Sequence, residues 1–178
     1  MFNLKHCLTV LLYLAAAAIP LAQAQNTPTA DQMIEQLKLP KTRGLRNLTV
    51  EAVPGKASSE PEPVQARPSL SLLIQFDFNS ARVKAESQQA LANLSQALQS
   101  PDLAKSKFAV EGHTDAKGGV DFNRKLSEQR AFAVRDLLRI QGVSETRLIA
   151  SGKGYSELAN PADPMGAENR RVRIVNLD

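Results

Sequence analysis

The chain is poor in the residues that carry redox, metal-binding and base-stacking chemistry. Among 178 residues there is one cysteine, no tryptophan, two tyrosines and two histidines. Cys7 stands at the front of the apolar run Cys7 to Ile19, ahead of Ala22-Gln23-Ala24, the small-x-small pattern at which a secretory signal is cut. An acylated cysteine would have to follow that run, so Cys7 is expected to leave with a signal peptide spanning 1–24. A mature chain beginning at Gln25 then has neither a disulfide nor a thiol ligand, and its stability must come from core packing. Zinc takes about three or four protein ligands, which His113 and Asp115 do not supply, so no metal or other cofactor is expected. With aromatics at 4%, a net charge of +4 and a pI near 9.4, the chain is mildly basic but lacks stacking residues, and no nucleic-acid partner is expected. The one long apolar run is short for a membrane span of about 20 residues, and no transmembrane segment is expected in the mature chain.

What is present divides into two parts. From Gln25 to Pro68 the composition shifts to Pro, Thr, Ser and Glu, and Pro54, Pro61, Pro63 and Pro68 mark its second half as an extended linker. Its first half holds a short amphipathic candidate over 31–39, with Met33, Ile34 and Leu37 at helical spacing, Asp31 as N-cap and Pro40 as stop. Such a segment can dock on a partner or on the domain itself, or remain a marginal helix in a tether, since isolated helices this short rarely persist.

The folded domain is expected over 69–178. In LSLLIQFDF, the residues Leu70, Leu72, Ile74, Phe76 and Phe78 share one face, which predicts a half-buried strand. Val83 to Ser100 reads as a helix, Phe108 to Glu111 as a strand, and a helix is expected from about Ser127, closed by Gly142 at C′. Strands near 147–151 and 171–177 complete a β-α-β-α-β-β order. The expected architecture is α/β, or α+β: a two-layer sandwich with a mixed sheet and its helices packed on one face.

The stretch EGHTDAKGGVDFNRKLSEQRA, Glu111 to Ala131, carries the chemistry. It delivers Asp115 beyond the carboxyl end of a strand, where ligands collect in open α/β sheets. With Ser127 as N-cap, Arg130 falls near the third helical position, where the positive end of the macrodipole disfavours a lone arginine by roughly 0.3–1 kcal/mol. An anion should compensate. An internal Asp115–Arg130 salt bridge, or pairing of Arg130 with Glu128 or Asp121, satisfies that requirement; so does a ligand whose ammonium meets Asp115 and whose carboxylate meets Arg130. His113, Asp115 and Ser127 are residue types of nucleophilic hydrolysis, but no G-x-S-x-G turn accompanies them, and His113 can simply hold the loop. Gly152-Lys153-Gly154 lacks the spacing of a phosphate loop. In Asn169-Arg170-Arg171-Val172-Arg173, Val172 and Ile174 are expected inward and Arg171 and Arg173 outward, on a charged edge strand.

The motifs FDFNSA, GHTDAKG, NRKLSEQRAFAV, GKGYSELANP and NRRVRI, in this order, resemble the OmpA-like peptidoglycan-binding domain of outer-membrane porin-like proteins, peptidoglycan-associated lipoproteins and flagellar stator proteins. The resemblance implies the fold derived above and a non-enzymatic protein that binds peptidoglycan through the diaminopimelate residue of the stem peptide. It assigns Asp115 to the diaminopimelate amine and Arg130 to its carboxylate, with Asn123, Leu126, Phe78 and Asn79 shaping the pocket. It places the protein in the periplasm of a Gram-negative-type envelope, associated with the cell wall, a peripheral association with the outer membrane being left open. The alternative is an envelope adaptor whose N-terminal segment binds another protein, with a cell-wall hydrolase as the remaining reading.

Overall fold

The computed structural model describes residues 27–39 and 67–178. The expected signal peptide and the proline-rich tract from Pro40 to Ala66 lie outside the described residues. Seven main elements follow in order: α1 (Ala30–Leu37), β1 (Ser69–Leu72), α2 (Gln88–Gln99), β2 (Phe108–His113), α3 (Val120–Ile140), β3 (Leu148–Gly154) and β4 (Val172–Asn176). From β1 onward this is the β-α-β-α-β-β order read from the sequence.

The four strands form one mixed sheet in the order β1-β4-β2-β3. β2 and β3 are parallel, as a strand-helix-strand unit requires, while β4 runs antiparallel to both β1 and β2 and sits between them. β4 is therefore a central strand and not the charged edge expected from its arginines. Val172 and Ile174 face the core as the alternation implies, but Arg171 is buried and donates from Nη2 to the Glu157 carbonyl at 3.0 Å. A central strand has no solvent edge, and the chain between β3 and β4 supplies that carbonyl over the Arg171 side chain.

The core lies between the sheet and the helices. Leu70, Leu72, Phe108, Val110, Leu148, Val172 and Ile174 from the strands meet Leu91, Leu94 and Leu98 of α2 and Ala131, Val134 and Leu138 of α3. Met33 and Leu37 of α1 join the same cluster, fully buried. The segment over 31–39 is thus a packed helix rather than a marginal one in a tether, and its N-cap is Thr29, not Asp31. Thr29 and Gln32 exchange side-chain-to-backbone bonds in a capping box. At the other end Asn176 Nδ2 donates to the Leu37 carbonyl at 2.9 Å, tying α1 to the last strand.

Two boundaries differ from expectation in ways that matter for the site. The first strand ends at Leu72, where its ladder with β4 ends; Ile74 is still buried, but Phe76 is half-buried in an isolated bridge to Val83, and Phe78 is 100% exposed in the turn beyond. That turn continues into a short 3-10 segment, Ala85–Ser87, so α2 starts at Gln88 and not at Val83. The second difference is α3, which begins at Val120 with Gly119 as N-cap, well ahead of Ser127. Its buried stripe runs Asn123, Ser127, Ala131, Val134, Leu138. The first two are small polar residues, which hides the first two turns from a search for apolar periodicity. The far end agrees with expectation: Gly142, at φ 100°, follows the C-cap Gln141.

Small residues on that stripe allow α3 to lie close against the sheet. A Cβ at Gly112 would fall on the Ser127 carbonyl oxygen, and one at Gly152 on the Glu128 amide. Ser127 completes the contact. Its hydroxyl donates to the Arg124 carbonyl at 2.7 Å and accepts from the Gly154 amide at 2.8 Å, so it stitches helix to strand in mid-helix instead of capping a helix start.

Candidate functional site

The loop after β2 is fastened at each step. Thr114 N–H donates to the Gly154 carbonyl and Ala116 N–H to the Pro164 carbonyl, both at 2.9 Å. Between them Asp115 is buried, and its Oδ1 accepts the Lys117 amide at 3.2 Å, an Asx-type turn that orients the carboxylate. Asn123, also buried, reaches back from the first turn of α3 and donates to the Lys117 carbonyl at 2.8 Å. Asn123 therefore acts on the site through the loop backbone.

Arg130 is the eleventh residue of α3, so the argument from the positive end of the macrodipole does not apply to it. Its Nε donates to the Ser80 carbonyl at 3.1 Å, and its guanidinium lies 4.8 Å from the centre of the Phe76 ring. These contacts aim the guanidinium while leaving its two terminal nitrogens without a protein hydrogen bond among the described residues. No carboxylate among the described residues pairs with it. Burial disfavours its charge, the neighbouring Arg170 cation adds to that, and Asp115 acts in the opposite sense. The sequence reading did not assign Phe76 or Ser80 to this task.

Neither the Asp115–Arg130 salt bridge nor pairing of Arg130 with Glu128 or Asp121 forms. Asp115 is paired with Arg170, whose Nη1 lies 2.8 Å from Oδ2. Arg170 was read only as part of a basic run; it stands directly before β4, whose antiparallel pairing with β2 brings it to the end of the sheet where β2 delivers Asp115, and that pairing has no local signal in the sequence. Arg170 is held there by Asn169, fully buried, which donates to the Asp163 carbonyl at 2.8 Å and accepts the Asn160 amide at 2.9 Å. The site thus contains two guanidinium groups around one carboxylate, an excess of positive charge in a partly desolvated setting. Each Asp115 oxygen holds a protein donor and retains a lone pair for another.

Arg130 and Arg170 also line one end of a cleft of ≈ 700 Å³ that continues along the exit of β1. Leu126, half-buried, lies one turn before Arg130 on α3, and Asn79 adopts a left-handed φ of 49° in the turn that presents the Ser80 carbonyl. Phe78, in that same turn, projects into solvent.

The hydrolytic trio does not assemble. Ser127 faces the helix side of the sheet, next to Gly112, whereas His113 follows Gly112 in β2 and takes the other face. There it is buried among Arg171, Arg173, Lys153 and Glu157, with both ring nitrogens unpartnered, so it does not hold the loop through its side chain. Burial and the adjacent Arg171 cation push its pKa down to about 4. Among the described residues no group of three or more His, Cys, Asp or Glu side chains could hold a metal ion.

Comparison with known proteins agrees with this fold. The OmpA family model matches residues 75–173, more than half of the chain. Outer membrane porin F of Pseudomonas aeruginosa is 35% identical over 160 residues, covering 89% of this chain and 42% of the porin. Outer membrane protein A of Serratia marcescens is 43% identical over 82 residues, which cover 46% of this chain and 23% of that protein. The chain thus spans less than half the length of these curated relatives. Among solved structures, the peptidoglycan-associated lipoprotein from Burkholderia pseudomallei aligns with a TM-score of 0.50 at 28% identity, over 66% of this chain and 97% of that one. The match across β1's exit, α2, β2, α3 and β3 into β4, on a four-stranded mixed sheet of the same kind, shows that this chain belongs to the OmpA family, a peptidoglycan-binding family of envelope proteins.

Proposed function

We propose that this protein binds peptidoglycan non-covalently in the periplasm by recognising the diaminopimelate zwitterion of the stem peptide, without acting as an enzyme. The observation that carries the reading is the charge arrangement: Arg130, aimed by Phe76 and Ser80 but lacking a carboxylate partner, beside an Asp115 already paired with Arg170. An incoming carboxylate at Arg130 relieves the repulsion between the two guanidinium groups, and an ammonium at Asp115 takes the remaining lone pairs. A charge-assisted hydrogen bond of this kind contributes about 1.5–3 kcal/mol, or roughly 10- to 100-fold in affinity. Asn123 holds the loop that carries Asp115, while Leu126, Phe78 and Asn79 border the place the ligand would take.

For the adaptor alternative, residues 40–46 of the segment lie outside the described residues, and within α1 Met33 and Leu37 are committed to the core and not open to a partner. Sedimentation with purified sacculi tests the proposal. Wild-type protein is expected in the pellet, and Asp115→Ala and Arg130→Ala are each expected to lower the pelleted fraction by about tenfold or more at limiting sacculi. Equal sedimentation of the variants and wild type overturns the site assignment, and release of soluble fragments from sacculi would establish a hydrolase instead.

A further inference from the structure

β3 forms the edge of the sheet farthest from β1. It is the longest of the four strands, Leu148–Gly154, and pairs with β2 alone among the described strands. From Ile149 to Gly152 its other side makes no backbone hydrogen bond among the described residues. Soluble proteins usually guard such an edge with charged side chains, because its unpaired donors and acceptors are a template for another strand. Here the two cations that bracket the open run are committed elsewhere. Arg147 donates to the carbonyls of Leu98, Leu103 and Ser106, and Lys153 pairs with Glu111 and Glu157. Between them Ile149 is 55% exposed.

α3 lies over this edge and runs antiparallel to β3, since a Cβ at Gly152 would meet the Glu128 amide and one at Gly154 the Arg124 amide. Two strand residues and four helical residues each advance by about 6 Å, which sets Phe132 level with Ala150, at the middle of the open run. On the helical period Glu128, Phe132, Arg135 and Arg139 share one flank of α3. That flank is opposite Arg130, whose side turns to Phe76 and Ser80, and so it borders the β3 edge. Phe132 is exposed there beneath the Arg135 guanidinium, 4.9 Å from the ring centre. Charge divides along the flank: the acids Asp121 and Glu128, with Arg124 between them, precede Phe132, and Arg135 and Arg139 follow it, Asp136 being bonded to Arg135.

We infer that the β3 edge and the adjoining flank of α3 form the contact surface for a second copy of this chain, the two four-stranded sheets joining into one about a two-fold axis. An axis at the level of Ala150 and Phe132 makes the two β3 strands antiparallel and lays the two α3 helices antiparallel beside each other. Phe132 then meets its own counterpart, and Glu128 of each copy faces Arg135 and Arg139 of the other. Arg130 is on the opposite flank, so pairing leaves the clamp open in both copies, and the inference does not depend on what the clamp binds.

Sedimentation velocity on the purified protein, loaded from about 1 μM to about 100 μM, tests this. The wild type is expected to pass from the monomer mass to the dimer mass and no further. Ile149→Lys, which restores a guard to the edge, and Phe132→Glu should each weaken the dimer by at least about tenfold. Ile140→Lys, an exchange at an apolar residue 72% exposed on the outward face of α3, should leave it unchanged. Thermal unfolding of each variant checks that it is folded, and Ile149→Lys carries the test alone if Phe132→Glu is not. A wild type that stays monomeric at about 100 μM overturns the inference, as does a mass that keeps rising past the dimer. A dimer that Ile149→Lys leaves intact, or that Ile140→Lys weakens as much, overturns it as well.

Discussion

The reason for which Arg130 was singled out in the sequence does not hold: it lies in the middle of α3 and not at its start. The helix-start argument placed it in the field of free amide groups, whereas its setting depends on a carbonyl fifty residues earlier and on the ring of Phe76. Neither contact has a local signature, because both depend on how the turn after β1 folds onto α3. The place of Asp115 just beyond the end of β2 was legible from the strand pattern. Arg170 was not, because arginines flanking a strand are usually solvated and its partner lies fifty-five residues away. His113 gives a residue-scale prediction that does not depend on the ligand. Its imidazole is held neutral, with a pKa lowered from 6.5 to about 4 by burial and by Arg171. Above pH 6.5 folded and unfolded chains are both neutral at this position, and stability is intact. As the pH falls below 6.5 the unfolded chain takes up a proton that the folded one refuses, so stability declines down to about pH 4, by about 2–3 kcal/mol in all. Urea midpoints measured at pH 7 and pH 4.5 should fall less in His113→Phe than in the wild type. Equal losses would show that other groups govern the acid response.

The elements that position the site are α3 and the strands beneath it. The alternation in β1 and the apolar stripes of α2 and of the C-terminal half of α3 were readable, and so was the closure of α3 at Gly142. The N-terminal half of α3 was hidden because its buried positions are Asn123 and Ser127, chosen for size and hydrogen bonding against the glycines of β2 and β3. That interface predicts that Gly112→Ala destabilises the protein by about 2–3 kcal/mol, since the new methyl meets backbone that cannot rotate away. Thermal unfolding should show a melting temperature lower by roughly 10 °C; an unchanged value would mean that α3 can move off the sheet without cost. α1 supplies the complementary case. Leu37→Ala removes a fully buried side chain from the shared core and is expected to cost about 2–5 kcal/mol. A change within about 0.5 kcal/mol would place α1 outside the cooperative unit.

For the whole molecule, the β-α-β-α-β-β order and the one-sided helix layer were legible because each element carries its own period. The position of β4 between β1 and β2 was not, because strand order depends on pairing that no single stretch encodes. That order sets the geometry of the site: it places the residue before β4, Arg170, beside the loop after β2. A sheet with β4 outermost would separate Arg170 from Asp115. The proposed clamp would engage one zwitterion repeated on every stem of a polymer, so that rebinding would strengthen retention when more than one copy or a second anchor is present. The distinguishing group is the carboxylate at the free end of diaminopimelate, which lysine at the same stem position lacks. Equilibrium binding to diaminopimelate-type and lysine-type peptidoglycan, otherwise matched in stem and glycan, tests this most directly. The account predicts that wild-type protein prefers the diaminopimelate type by at least about tenfold and that Arg130→Ala abolishes the preference; equal binding of the wild type to the two walls would contradict it.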